Sequence, residues 1–172
     1  MRDEGAISAL RWEASMYAGP LKHLQGTVVP SFYGFFAGNL DGREVGCIVL
    51  EWCPTNEWVT FGKPTEEELD PSRQRMDAVR LLHRAGVKHG ELYHRHNSLR
   101  ISDGRHFLRA SDGTIRIVGF KHARVHRCAG GMGKCDSFHD PPHDKCKELC
   151  YAEGHWRRAV SEGLENVKWC PY

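Results

Sequence analysis

Glycine and proline set the limits of what this chain can build. The 18 Gly and 8 Pro punctuate the chain between its hydrophobic segments. Gly19-Pro20, Gln25-Gly26, the cluster Gly38-Asn39-Leu40-Asp41-Gly42, Pro71, Gly86, Ser111-Asp112-Gly113, Gly130-Gly131-Met132-Gly133 and Pro141-Pro142 each mark a turn, a cap or a break. The hydrophobic patterns between these marks are of two kinds. Ile7 to Leu24 carries Leu10, Met16, Tyr17, Leu21 and Leu24 at loosely helical spacing, interrupted by Gly19-Pro20. Val28 to Phe36 is aromatic and β-branched, and Val45 to Trp52 is a nearly continuous apolar run. With the Gly38–Gly42 cluster between them, they predict an antiparallel hairpin.

Further on, Thr65-Glu66-Glu67-Glu68 matches a capping box, with Thr65 at the N-cap and Glu68 three residues on. Pro71 predicts a break between a short helix and a longer one, Ser72 to Ala85. On the longer helix Met76, Val79, Leu82 and His83 share a face, and Gly86 supplies the C-cap. A loop is expected from Lys88 to Asn97. Two short strands, Ser98–Ile101 and Thr114–Val118, are expected to form a second hairpin. Residues 128–143 read as an irregular segment rich in Cys, His and Gly, and a last helix is expected from about Asp144 to Leu164. The predicted class is α+β.

Composition narrows the functional classes. Apolar residues make up 40% and charged residues 27%, as in a folded chain rather than a disordered one. A net charge of +2 without a basic block gives no reason to expect nucleic acid or an anionic membrane as partner. Apolar runs such as Cys47-Ile48-Val49-Leu50 are far too short to span a bilayer, and the first residues lack an apolar signal core. The expectation is an intracellular protein, cytoplasmic or nuclear. Its seven cysteines, an odd number, are expected to be free thiols.

The residues that carry chemistry fall in an ordered series. Leu82-His83-Arg84-Ala85-Gly86-Val87-Lys88-His89-Gly90-Glu91-Leu92 resembles the run into the catalytic loop of protein kinases, where a helix ends in Leu-His-x-x-Gly-Val and the loop follows as His-x-Asp-Leu. Gly90 at the second loop position is similar to the atypical and small-molecule kinases. Ile115-Arg116-Ile117-Val118-Gly119-Phe120-Lys121-His122-Ala123 resembles the strand leading into the Asp-Phe-Gly metal motif. Upstream, Glu13 to Val29 resembles the helix bearing the family's conserved Glu and the strand after it. Val49-Leu50-Glu51 fits the strand before the hinge. The order and separation of these pieces resemble those of the protein-kinase-like superfamily, and the combination is similar to its divergent fungal members in particular.

That resemblance implies a partial two-lobe kinase-like fold over residues 10–165, running from the upper-lobe helix through the hinge to the early lower lobe. The Gly-rich loop and the strand Lys are absent. Such a piece is expected to be marginally stable, or to need a protein partner. Glu91 stands at the position of the catalytic Asp. It is a carboxylate able to accept a proton, or else a loop residue bonded to nearby backbone. His96 and Asn97 stand at and beside one magnesium-ligand position, and Gly119 at the other. An imidazole is a poor ligand for magnesium, and glycine offers none. Glu13 is at the position of the conserved helix Glu, without its Lys, and so is either functional or simply solvated. His89 is expected to be structural, Phe120 to pack into the core, and Arg95 and Lys121 to be surface charges. The implied function is a pseudokinase or interaction module with impaired phosphoryl transfer. The alternative is an active atypical kinase using ATP and magnesium on a protein or small molecule.

The tail brings together His126, Cys128, Cys135, His139, His143, Cys146 and Cys150. Thiolates and imidazoles suit zinc, but no Cys-x-x-Cys pair is present, and a His-x-Cys follows the same Ala in the fungal group. Buried thiols and loop histidines are therefore the expectation here, ahead of a structural zinc.

Overall fold

A computed structural model describes residues 4–54, 66–96, 99–102, 104–129 and 146–161. Helix α1 (Glu4–Ala18) ends at Gly19-Pro20, and a 3-10 turn (Lys22–Leu24) follows. Met16, Tyr17, Leu21 and Leu24 are buried as their spacing predicts. The predicted hairpin is present as β1 (Phe32–Leu40) and β2 (Arg43–Leu50), antiparallel, with Leu40 opposite Arg43. The reversal is tighter than the Gly38–Gly42 cluster suggests. It is made by Asp41 and Gly42, both at positive φ (50° and 76°), the combination of a two-residue hairpin turn. Val28 and Val29 are not in the strand but sink into the core beside it.

The inner face of this hairpin lies on α1, with Arg11 over the Phe35 ring and paired with Glu44, and with Leu10 and Phe35 occupying the space that a side chain at Gly46 would need. Its outer face carries Phe36, Leu40, Val45 and Val49, all exposed.

Helix α2 (Glu66–Arg84) is continuous through Pro71, which corrects the expected break. Pro71 lies in the second turn, where its missing N–H removes a single backbone bond. Thr65, the expected N-cap, lies outside the described residues. Met76, Val79, Leu82 and His83 form the buried face, and Gly86 caps the end with its N–H on the His83 carbonyl at 3.0 Å.

Beyond this point the pairing differs from expectation. The segment expected as a loop contains β3 (Val87–Lys88) and β4 (Tyr93–His96). Strand β5 (Leu99–Ser102) pairs with β4 and not with the Thr114–Val118 strand. The latter is β7 (Ile115–Ile117). It pairs with β6 (Phe107–Arg109), a strand that apolar patterning did not single out. The Ser111-Asp112-Gly113 turn joins these two. β3 pairs with β8 (Arg124–Val125), and α3 (Lys147–Ser161) packs against α2. Residues 130–145, most of the irregular segment, lie outside the described residues. The class is α+β, with antiparallel strand pairs among the described residues. None of the described helices is long and apolar enough to cross a membrane.

One core joins these pieces: Met16, Tyr17, Leu21 and Val29 meet Val79, Leu82, Val87, Leu92, Phe107, Ile117 and Phe120. Burial of each such side chain contributes about 1.5–3 kcal/mol. Through this core runs a buried cation, Arg116 on β7, 2% exposed. Its guanidinium donates to the carbonyls of Gly26 at 2.7 Å and Thr27 at 2.9 Å, and meets Asp112 at 3.2 Å and Glu51 at 3.5 Å. Glu51 in turn accepts the Ser31 N–H at 2.9 Å. One planar fork thus ties β7 to the chain on both sides of the β1–β2 hairpin.

Arg116→Met should therefore lower stability by about 2–4 kcal/mol, because two partly buried carbonyls lose their donors and Glu51 and Asp112 lose their cation. Arg116→Lys should fall between the two, since an ammonium cannot span the set. Urea denaturation reads both, and a loss below about 1 kcal/mol for Arg116→Met would contradict the role.

Candidate functional site

Gly86 and the β3–β8 pair deliver the chain to His89-Gly90-Glu91, and β7 delivers it to Val118-Gly119-Phe120. The two segments lie side by side. Buried His89 donates from Nε2 to the Val118 carbonyl at 2.9 Å, while its Nδ1 accepts the Glu91 N–H at 3.2 Å. The two bonds together specify the neutral Nε2–H form. Burial pushes the His89 pKa down to about 4, and neither the bond to Val118 nor the nearby carboxylates reverse this. His89 is structural, as expected.

A second imidazole, His106, donates from Nδ1 to the same Val118 carbonyl at 2.9 Å and meets the His89 ring at 4.6 Å between centroids. The His89 ring also lies 4.9 Å from that of Phe120, which is fully buried. His106 was not legible as a site residue. The clue was the hairpin: once β6 is recognised, its register carries His106 opposite Val118, whose N–H bonds the His106 carbonyl at 3.0 Å.

His106 stands between the two positions that the motif comparison singled out. Its Nε2 lies 3.9 Å from the Glu91 carboxylate. Its Nδ1 would lie 2.6 Å from a Cβ at Gly119. Gly119 has φ +85°, so a side chain there is excluded by backbone conformation as well as by space. Gly90 is similarly required: its φ is +95°, and a Cβ would come within 3.0 Å of the His122 carbonyl.

The Glu91 carboxylate is one-third exposed. It faces His122 Nε2 at 3.3 Å and Lys121 Nζ at 3.8 Å, so its contacts are an imidazole and an ammonium group. Lys121, expected at the surface, is half-exposed and makes this pair. Glu13 is not solvated: its Oε1 accepts the Phe120 N–H at 2.8 Å. Trp12 beside it donates to the Ala123 carbonyl at 3.0 Å, so α1 grips the segment after Gly119 at two points. His96 ends strand β4 opposite Leu99 rather than lying in an open loop, and Asn97 lies outside the described residues.

Behind the loop sits a carboxylate that sequence reasoning missed. Glu148, on α3 and 5% exposed, accepts the N–H of His89 at 2.9 Å and of Gly90 at 2.6 Å, and pairs with His83 Nε2 at 3.0 Å. Burial alone would raise its pKa, but the hydrogen bonds from His83 and from the His89 and Gly90 amides hold it below the usual carboxylate range. From the other side of His83, the tail supplies His126, Cys128 and Cys146. The ligand atoms of these four residues all lie within 4.8 Å of one another. Cys150 is buried but not part of this group, and Cys135, His139 and His143 lie outside the described residues.

No protein-family model matches the chain, and no curated protein matches it in sequence.

Two outcomes follow from this geometry. The folded pKa of His89 lies below its unfolded value of about 6.5, so the neutral ring favours the fold above that pH. The contribution is then lost as pH falls from about 6.5 toward 4. Urea-derived stability of the wild type should fall more steeply over this window than that of His89→Asn, by up to about 1 kcal/mol per pH unit. Equal slopes would refute the assignment. Separately, Gly119→Ala should cost about 2 kcal/mol through positive φ and the His106 clash. The double variant with His106→Ala should lose less than the sum of the two single losses, and strict additivity would show that the clash is not there.

Proposed function

We propose that the chain is a protein-kinase-like domain acting as a pseudokinase or interaction module, with phosphoryl transfer lost. The observation that carries this reading is the junction of Glu91, His106 and Gly119. The adjacency of Glu91 to the Gly119 segment is what a catalytic loop and a metal-motif strand require of each other. The content of that junction is wrong for transfer. Kinase chemistry rests on magnesium held by carboxylate and amide oxygens, and on a Lys paired with the helix Glu. Gly119 offers no oxygen ligand, and an imidazole fills the space where one would begin. The Glu91 carboxylate faces Lys121 and His122, and Glu13 bonds a backbone amide.

These residues do not fit a magnesium–nucleotide centre, and no step through one is derived. The module half of the reading is supported by the exposed apolar residues on the outer face of the β1–β2 hairpin, Phe36, Leu40, Val45 and Val49, with Trp52 beyond its end. Several large apolar side chains exposed on one face of a hairpin are in keeping with a protein contact surface. A protein partner is accordingly proposed, in an intracellular setting.

Thermal shift and calorimetry with ATP, with and without magnesium, test the reading. The expected result is no magnesium-dependent rise in Tm above about 1 °C, since little ligand is bound when the site cannot hold the ion. A clear magnesium-dependent stabilisation that disappears in Glu91→Ala would overturn it in favour of an active atypical kinase.

A further inference from the structure

We infer that His83, His126, Cys128 and Cys146 form a structural zinc site, and that the ion, acting through His83 and Glu148, holds the loop that carries Gly90 and Glu91. This stands on the geometry of the four side chains and is independent of the kinase-like reading. The ligands come from three places: His83 near the end of α2, His126 and Cys128 just past β8, and Cys146 just before α3.

The first argument is distance. Zinc binds imidazole nitrogen at about 2.0–2.1 Å and thiolate sulfur at about 2.3 Å in a tetrahedron. Those bond lengths require ligand–ligand separations of about 3.3 Å for N···N and about 3.6 Å for N···S. Here His83 Nδ1 lies 3.2 Å from His126 Nε2 and 3.5 Å from each of the Cys128 and Cys146 sulfurs. The Cys146 sulfur lies 3.9 Å from His126 Nε2. Four of the six ligand–ligand separations are thus close to those of a zinc shell, and all lie within 4.8 Å.

The second argument is proton accounting. His83 Nε2–H is committed to Glu148 at 3.0 Å. Nδ1 can then hold at most one proton, yet three atoms with lone pairs converge on it at 3.2–3.5 Å. A hydrogen-bond network can bridge that nitrogen to only one of them, because the atom has a single lone pair or a single proton to share. A cation at the centre satisfies all four at once. Two thiolates balance its charge, and the soft, mixed S/N set selects zinc over magnesium or calcium. The shell is complete without water, and Cys146 and His83 are buried, which is the form of a structural rather than a catalytic site.

The third argument is what lies behind the shell. A metal-bound imidazole commonly gives its other N–H to a carboxylate that fixes its orientation. Glu148 plays that part for His83, and its two oxygens also take the N–H groups of His89 and Gly90. The ion would thereby connect α2, the β8 exit and α3 to the very loop on which Glu91 sits.

Metal analysis of the full chain, purified under reducing conditions, should find about one zinc per molecule. Replacement by cobalt(II) should give the intense visible bands of a tetrahedral thiolate site, a readout that needs no variant. Cys146→Ser and His126→Ala should lose the metal, and Cys150→Ser should keep it. Chelation should lower Tm by at least about 5 °C and speed amide exchange at His89 and Gly90 by tenfold or more. A wild-type chain that takes up no cobalt in tetrahedral form overturns the site, as does a Cys128→Ser/Cys146→Ser variant that retains zinc as the wild type does. Unchanged exchange at His89 and Gly90 after chelation overturns the link to the loop.

Discussion

The structure depends on one buried carboxylate. Glu148 joins three parts of the chain that share no local sequence relation: the end of α2 through His83, the loop through the His89 and Gly90 amides, and α3 through its own backbone. A buried charge of this kind is tolerable only with its partners in place, because an unpaired carboxylate away from water is strongly disfavoured. The partners are therefore obligatory. The loop cannot leave Glu148 without exposing the carboxylate or orphaning two amides, and so it is set against the end of β7.

The other face of that junction is held by two further long-range bonds. Arg116 fastens β7 to the carbonyls before the hairpin, and Glu13 fastens the segment after Gly119 to α1. Val118, between them, presents one carbonyl to two imidazoles. The result is a meeting point of loop and strand end with the His106 ring set between Glu91 and Gly119. The proposed loss of transfer and the proposed zinc rest on neighbouring but separate sets of side chains. The first set surrounds Glu91 and the second lies behind Glu148. One reading can fail without the other.

Much of the local architecture was legible. The Asp41-Gly42 turn, the apolar face of α2 and its Gly86 cap follow from periodicity and backbone preference, which act over a few residues. Pro71 misled because the helix runs through it, at the loss of one backbone hydrogen bond. Strand β6 was overlooked because Phe107-Leu108-Arg109 is too short to show alternation. Its partner across the Ser111-Asp112-Gly113 turn was visible, however, and pairing would have revealed it. Glu91 and Gly119 were singled out from ordered motifs, and they do meet across His106. Glu13 was singled out from the same motifs, but its partner, a backbone amide, could not be read from side-chain identities.

By itself the sequence determined the α+β class, the first hairpin, the α2 face and the glycines that the loop and the strand end require. These depend on dihedral preferences and on burial patterns repeating every two to four residues. Tertiary structure alone decided that His83 would stand beside Cys146, that His106 would fill the space before Gly119, and that Glu148 would hold the loop. Those contacts join residues far apart in the chain, and no local preference encodes them. They exist because the shared core brings α2, β7 and α3 together. Once there, buried polar groups must find partners among whatever side chains the packing has placed within reach.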